Sequence, residues 1–176
     1  MSLITKINVT LSAALVAPGD LADAAATVTK AYALALNSGF AAGQADRVLA
    51  DTRTLTASSS EDLDLAGALL DQLGGPFVLA RVKALFLRAA IGNVNNVVFG
   101  GVANAWATFL SPAATGLITL RPGAAMLLMA GGVQSGESQD ATGYAVTAGT
   151  GDLLHVANGG AGTSVTYDIV AIGCSA

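Results

Sequence analysis

The chain has 176 residues, a net charge of −4, one cysteine and one histidine, and only 11% of its residues are charged, against about 25% in ordinary globular domains. This length suits one domain, or one domain with an arm. The scattered basic residues exclude a nucleic-acid-binding stripe, and a lone Cys174 excludes an intramolecular disulfide or a cysteine-built zinc cluster. Hydrophobic residues make up 53% of the chain, but many are alanine. A surface so poor in charge suits a protein packed against copies of itself or in a large assembly, because a free monomer relies on interspersed charges for solubility.

The N-terminal stretch "MSLITKINVTLSAALVAPGD" imitates a signal peptide, with Lys6, an apolar run and the ending "ALVA". Asn8, Thr10 and Ser12 break that run, and Ile7, Val9 and Leu11 alternate with them, so the segment reads as a strand closed by a turn at Pro18, Gly19 and Asp20. The next segment, "DLADAAATVTKAYALALNSG", supports two readings. Asp20 can cap a short helix running to Lys30. Alternatively, Tyr32, Leu34 and Leu36 alternate with alanines in a strand that ends at the turn Asn37, Ser38 and Gly39. Residues 1–46 therefore form an N-terminal arm, added strands or a short helix. No apolar run reaches the ~18 residues that span a bilayer.

From residue 47 the pattern is clearer. "DRVLADTRTLTASSS" alternates and is rich in threonine. In "SEDLDLAGALLDQLGG", Leu63 and Leu65 share a strand face, while Leu65, Leu69 and Leu73 also fit a short helix from Ser60. "PFVLARVKALFLRAAIG" is the longest strand candidate, with Arg81, Lys83, Leu85 and Leu87 on one face and Val82, Ala84 and Phe86 on the other. "NNVVFGG", "NAWATFL", "LITLRPGAAMLLMAGG", "YAVTAGTG", "DLLHVANGG" and "TSVTYDIVAIG" follow, and "VQSGESQDATG" is a polar loop. Turn signals recur roughly every ten residues, which argues for a sandwich or barrel. Roughly eight to ten strand candidates match a jelly roll or a similar two-sheet sandwich. The expected fold is mainly β: an antiparallel, jelly-roll-like β-sandwich over residues 47–176, an alanine-rich arm or extra strands before it, and up to two short helices.

Chemical motifs fail one after another. Gly149-Thr150-Gly151 lacks the third glycine and the following helix of a dinucleotide loop, and Gly162-Thr163-Ser164 lacks the lysine of a Walker loop. The glycines instead predict turns at residues 148–152 and 158–162, with Asn158, Gly159 and Gly160 tolerating positive φ. His155, the one imidazole, reads as a strand residue with a partly exposed tip. Ser138 lacks the closing glycine of a nucleophile elbow. Glu61, Asp62 and Asp64, with Asp71, are the densest carboxylates and the only candidates for a Ca²⁺ site or a glycosidase pair, yet their spacing matches no EF-hand. Trp106, Phe109 and Phe99 suggest a sugar platform, but alternation puts Trp106 and Thr108 on one face and Phe109 on the other, which favours core packing. No catalytic, cofactor-binding or metal-binding residue is assigned.

Residues 75–173 resemble small virion structural proteins of tailed bacteriophages. The resemblance rests on the ordered phrases "ARVKALFLRAA", "NNVVFGG", "WATFL", "LRPGAAMLLMA" and "YAVTAGTGDLLHVANGGAGTSVTYDIVAIG". It implies a non-enzymatic β-sandwich or jelly roll that decorates or cements a capsid, without cofactor, nucleic acid or membrane. The implied partners are copies of itself, with a homotrimer matching the threefold positions of a shell, and the major capsid protein or another virion protein. The implied location is the virion, assembled in the bacterial cytoplasm. A tail, fibre or head-spike module binding a host receptor or glycan is the alternative, with residues 133–142 as its exposed loop.

Overall fold

The computed structural model describes residues 2–67, 69–106, 109–110, 115–131 and 143–176. Among them every regular element is a strand: β1 (Thr5–Ala17), β2 (Ala24–Ser38), β3 (Gln44–Ala45), β4 (Arg47–Leu55), β5 (Ser60–Asp64), β6 (Leu69–Leu70), β7 (Pro76–Phe77), β8 (Arg81–Ala89), β9 (Val97–Gly100), β10 (Leu117–Leu120), β11 (Ala125–Met129), β12 (Tyr144–Ala145), β13 (Leu153–Asn158) and β14 (Val165–Cys174). Both short-helix alternatives are thereby overturned. Residues 24–30 lie in β2 and residues 60–64 in β5, each held by an antiparallel neighbour that satisfies the backbone across the ladder. The longest strand is β2, not the segment containing Arg81.

Eight strands build the sandwich. One sheet has the order β11-β8-β14-β4, the other β10-β9-β13-β5. Their antiparallel pairing is nested: β4 with β14, β5 with β13, β8 with β11, β9 with β10. First pairs with last and each inner strand with its mirror, as if one long ribbon had been rolled over two sheets. That is a jelly roll. Short β12 extends the first sheet beside β8.

Alternation makes the core. In β14, Val165, Tyr167, Ile169 and Ala171 face inward and are fully buried, while Thr166, Asp168, Val170 and Ile172 face outward. Leu154 and Val156 of β13, Phe99 and Val97 of β9, and Leu85 and Leu87 of β8 meet them in one cluster between the sheets. The Phe99 ring meets Tyr167 edge-on at 5.8 Å between centroids, a favourable geometry for ring quadrupoles.

The expected phase of β8 is half right. Leu85 and Leu87 do share a face, but Val82 joins them in the core instead of pointing away with Ala84 and Phe86. The register against β14 shifts between Ile172 and Gly173, leaving Lys83 as the extra residue of a bulge. A bulge reverses the in–out order on one side of it. Gly173 permits the crossing: a Cβ there would sit 2.2 Å from the Arg81 carbonyl oxygen.

The turns expected in the C-terminal third are present. Positive φ falls on Gly149 and Gly162 and not on the Asn158-Gly159-Gly160 cluster. Asn158 instead ends β13 as a buried hub. Its Nδ2 donates to the carbonyls of Thr56 (3.0 Å) and Thr163 (2.8 Å), and its Oδ1 accepts from Asn95 and from the Gly160 amide.

Candidate functional site

The structure disperses the carboxylates that sequence reading grouped. Glu61 points between the sheets. Its Oε2 accepts from Arg53 at 2.8 Å and its Oε1 from the Tyr167 hydroxyl at 2.9 Å, while Arg53 also reaches Asp51. Because β4 and β5 are the edge strands of opposite sheets, this network ties the open side of the sandwich together. The hydrogen bond to Glu61 holds the Arg53 guanidinium above its ordinary range, against burial. Burial first, then the Glu61 charge, pushes the Tyr167 hydroxyl well above the usual tyrosine value. Both groups are locked in their resting ionisation state, which suits a structural clamp and not a proton-transfer site.

Asp62 faces the opposite way and meets His155 Nδ1 at 2.5 Å across the β5–β13 ladder. Asp64 accepts from the Ala66 amide, and Asp71 from the amides of Leu73 and Gly75. Among the described residues no group of three or more His, Cys, Asp or Glu side chains could hold a metal ion. Cys174 is buried, its thiol directed at the Ala176 carbonyl. Trp106 is 2% exposed and donates its indole N–H to the Ala145 carbonyl at 3.0 Å. Its ring touches Phe109 and Tyr144, so Trp106 and Phe109 do not lie on separate faces: neither residue is in a strand, and the aromatics cluster. Thr108, Ser138 and the loop at residues 133–142 lie outside the described residues.

The feature that internal packing does not explain is the β1–β2 hairpin. Its register places Ile7 opposite Leu34, Val9 opposite Tyr32, Leu11 opposite Lys30, Ala13 opposite Val28 and Leu15 opposite Ala26. Directly opposed residues share a face, so one face is almost wholly apolar. The other carries Lys6, Asn8, Thr10, Ser12, Thr27 and Thr29, with a Ser12–Thr29 hydroxyl contact at 3.1 Å. Only the base of the apolar face is covered. Leu34, Leu36 and Ala45 form a small cluster with Leu3, Ile7, Met129 and Ile172. Further out Leu11 is 65% exposed, Leu15 76% and Val28 54%. A two-stranded ribbon standing alone is marginal in water and needs something against its apolar face.

A second apolar surface lies next to that base, on the outer face of the first sheet. Phe86, Leu127 and Val170 point away from the core there. With Ala84, Ile172 and the β1 residues Lys6, Ile7 and Asn8 they line an open groove of about 370 Å³, apolar on the sheet side and polar at the hairpin edge.

Sequence reading left residues 20–36 between helix and strand and did not find this face. The signal was present: apolar positions before residue 18 mirror those after residue 23 once the two strands are paired across the turn. No protein-family model, curated protein or solved structure matches the chain.

Proposed function

We propose that this chain is a structural protein of a tailed-phage virion, that it decorates or stabilises the capsid through self-association and lattice contacts, and that it catalyses no reaction. The observation that carries the reading is the long apolar hairpin face, which is exposed beyond its base. Monomeric soluble proteins rarely keep a large contiguous surface of this kind, and one that persists marks an interaction site, which we read as contact with other protein copies. The phage assignment draws on the resemblance of residues 75–173. The jelly roll is compatible with it but hosts unrelated functions. The low charge content supports the same reading, since a surface covered in an assembly has less need of charges.

The mechanism is mass action. A protein that binds only the assembled shell favours that state, and many copies on a lattice make weak single contacts sufficient. The test is co-sedimentation with bare capsids, followed by imaging of virions at a resolution that locates the chain. Binding to shells and copies spread over the capsid are expected. A few copies at a tail tip, or binding to host glycans without binding to capsids, would replace this reading with the receptor-binding alternative.

A further inference from the structure

We propose that the outer half of the β1–β2 hairpin of one copy docks, apolar face down, on the groove formed by Phe86, Leu127 and Val170 of a second copy. The inference rests on the assembly reading above and names the partner as another copy of this chain. Each copy carries two uncovered apolar surfaces that do not meet within it: Leu11, Leu15 and Val28 on the hairpin, and the groove beside the hairpin base. A hairpin-to-groove contact covers both at once, whereas hairpin-to-hairpin packing leaves the groove open. The groove is also continuous with the contact already made, because Ile7 and Ile172 belong both to its lining and to the small cluster at the hairpin base. An incoming hairpin would extend that cluster outward over the sheet.

Charge supports the same seat. On the outer face the next row beyond Phe86 and Val170 is Arg88 and Asp168, opposite each other in register. Among the described residues neither forms an ion pair, and Asp168 accepts only from Thr52 Oγ1 at 2.8 Å. The hairpin brings Lys30 halfway along its apolar face, and Asp20 and Asp23 at its tip. Lying over this row, it can set Lys30 against Asp168, while Asp23 lies seven residues further along the ribbon, about 23 Å away. The contact is heterologous, the hairpin of one copy on the sheet of the next, so it closes into a ring or propagates along a lattice.

Sedimentation velocity on two variants and their mixture tests the arrangement. Leu11→Asp with Leu15→Asp spoils the hairpin; Leu127→Lys with Val170→Lys spoils the groove. Each variant alone is expected to associate at least roughly 30-fold more weakly than the unaltered chain. Mixed, they form a dimer of one copy each, because one retains a hairpin and the other a groove. If the groove variant fails to fold by circular dichroism, charge reversal replaces it. Lys30→Glu then weakens association by roughly two- to fivefold, and Lys30→Glu with Asp168→Lys restores it. A groove variant that associates like the unaltered chain, a mixture that stays monomeric, or an uncombined reversal equal to the double one overturns the proposal. So does an unaltered chain that remains monomeric at its highest soluble concentration. That result leaves the virion reading standing if the same protein still co-sediments with capsids through its hairpin.

Discussion

The hairpin and the sandwich are written in the same pattern and have opposite fates. In β1, Val9, Leu11 and Leu15 alternate with polar or small residues, as Val165, Tyr167 and Ile169 do in β14. Ile169 is fully buried and Leu15 is 76% exposed. The difference lies in the neighbours. β14 is flanked by β8 and β4 and covered by a second sheet, whereas among the described residues the outer part of the β1–β2 ribbon has only itself. Alternation decides that a segment is a strand and which side is apolar. It does not decide what the apolar side will meet.

Four measurements break or sharpen that contrast, from the largest expected effect to the smallest. Truncating Phe99 to alanine between the sheets is expected to cost about 3–5 kcal/mol in chemical denaturation. Leu15→Ala, measured on dissociated protein, should stay within about 0.5 kcal/mol of the unaltered chain. Equal losses at the two positions would mean that the hairpin face is covered within one copy. Next, Gly173→Ala forces a side chain against the Arg81 carbonyl at the bulge and should lose about 1–3 kcal/mol, with the hairpin strands unaffected in hydrogen exchange. An unchanged stability would remove the bulge as the device that sets the phase of β8.

Third, Tyr167→Phe separates the clamp from the rest of the core. The folded protein holds the Tyr167 proton more tightly than the unfolded chain does. The resulting stability is complete below pH about 10, the ordinary tyrosine value, and is lost progressively as pH rises above it. The stability gap between Tyr and Phe at this position should therefore narrow in alkaline denaturation series. A gap constant from pH 8 to pH 11, values chosen as roughly two units below and one above that reference, would contradict the tight hold on the Tyr167 proton that burial, and then Glu61, provide. Last, Asp62→Asn loosens the pair with His155 on the outer face of the second sheet. Half-exposed pairs of this kind contribute about 0.2–1 kcal/mol, and a larger loss by thermal melting would mark that face as covered in the dissociated protein too.

Much of the sandwich was legible in the sequence for a local reason. β14 and β13 announce themselves by alternation, and the glycine-bearing turns that bound them need φ values other residues resist. The phase of β8 was not legible, because a bulge is a relation between two strands and Lys83 looks like any other strand residue. Residues 20–36 stayed open for a related reason: alanine on both sides of Tyr32 and Leu34 suits helix and strand alike, and only pairing with β1 settles it. The clamp of Arg53, Glu61 and Tyr167 joins residues on three strands, so the stretch from Glu61 to Asp64, read from its spacing as a solvated lead-in to a strand, did not reveal it. In a strand, adjacent residues face opposite ways, and Glu61 and Asp62 do.

By itself the sequence determined the class of structure: a mainly β chain poor in charge, with turns where glycine permits them and two short segments left between helix and strand. These properties follow from side-chain periodicity and backbone sterics, which act within a few residues. The tertiary structure alone decided the nested jelly-roll order, the bulge at Gly173, the dispersal of the acidic residues and the bare face of the hairpin. Each depends on which strands become neighbours, and that choice is made by contacts between residues far apart in the chain.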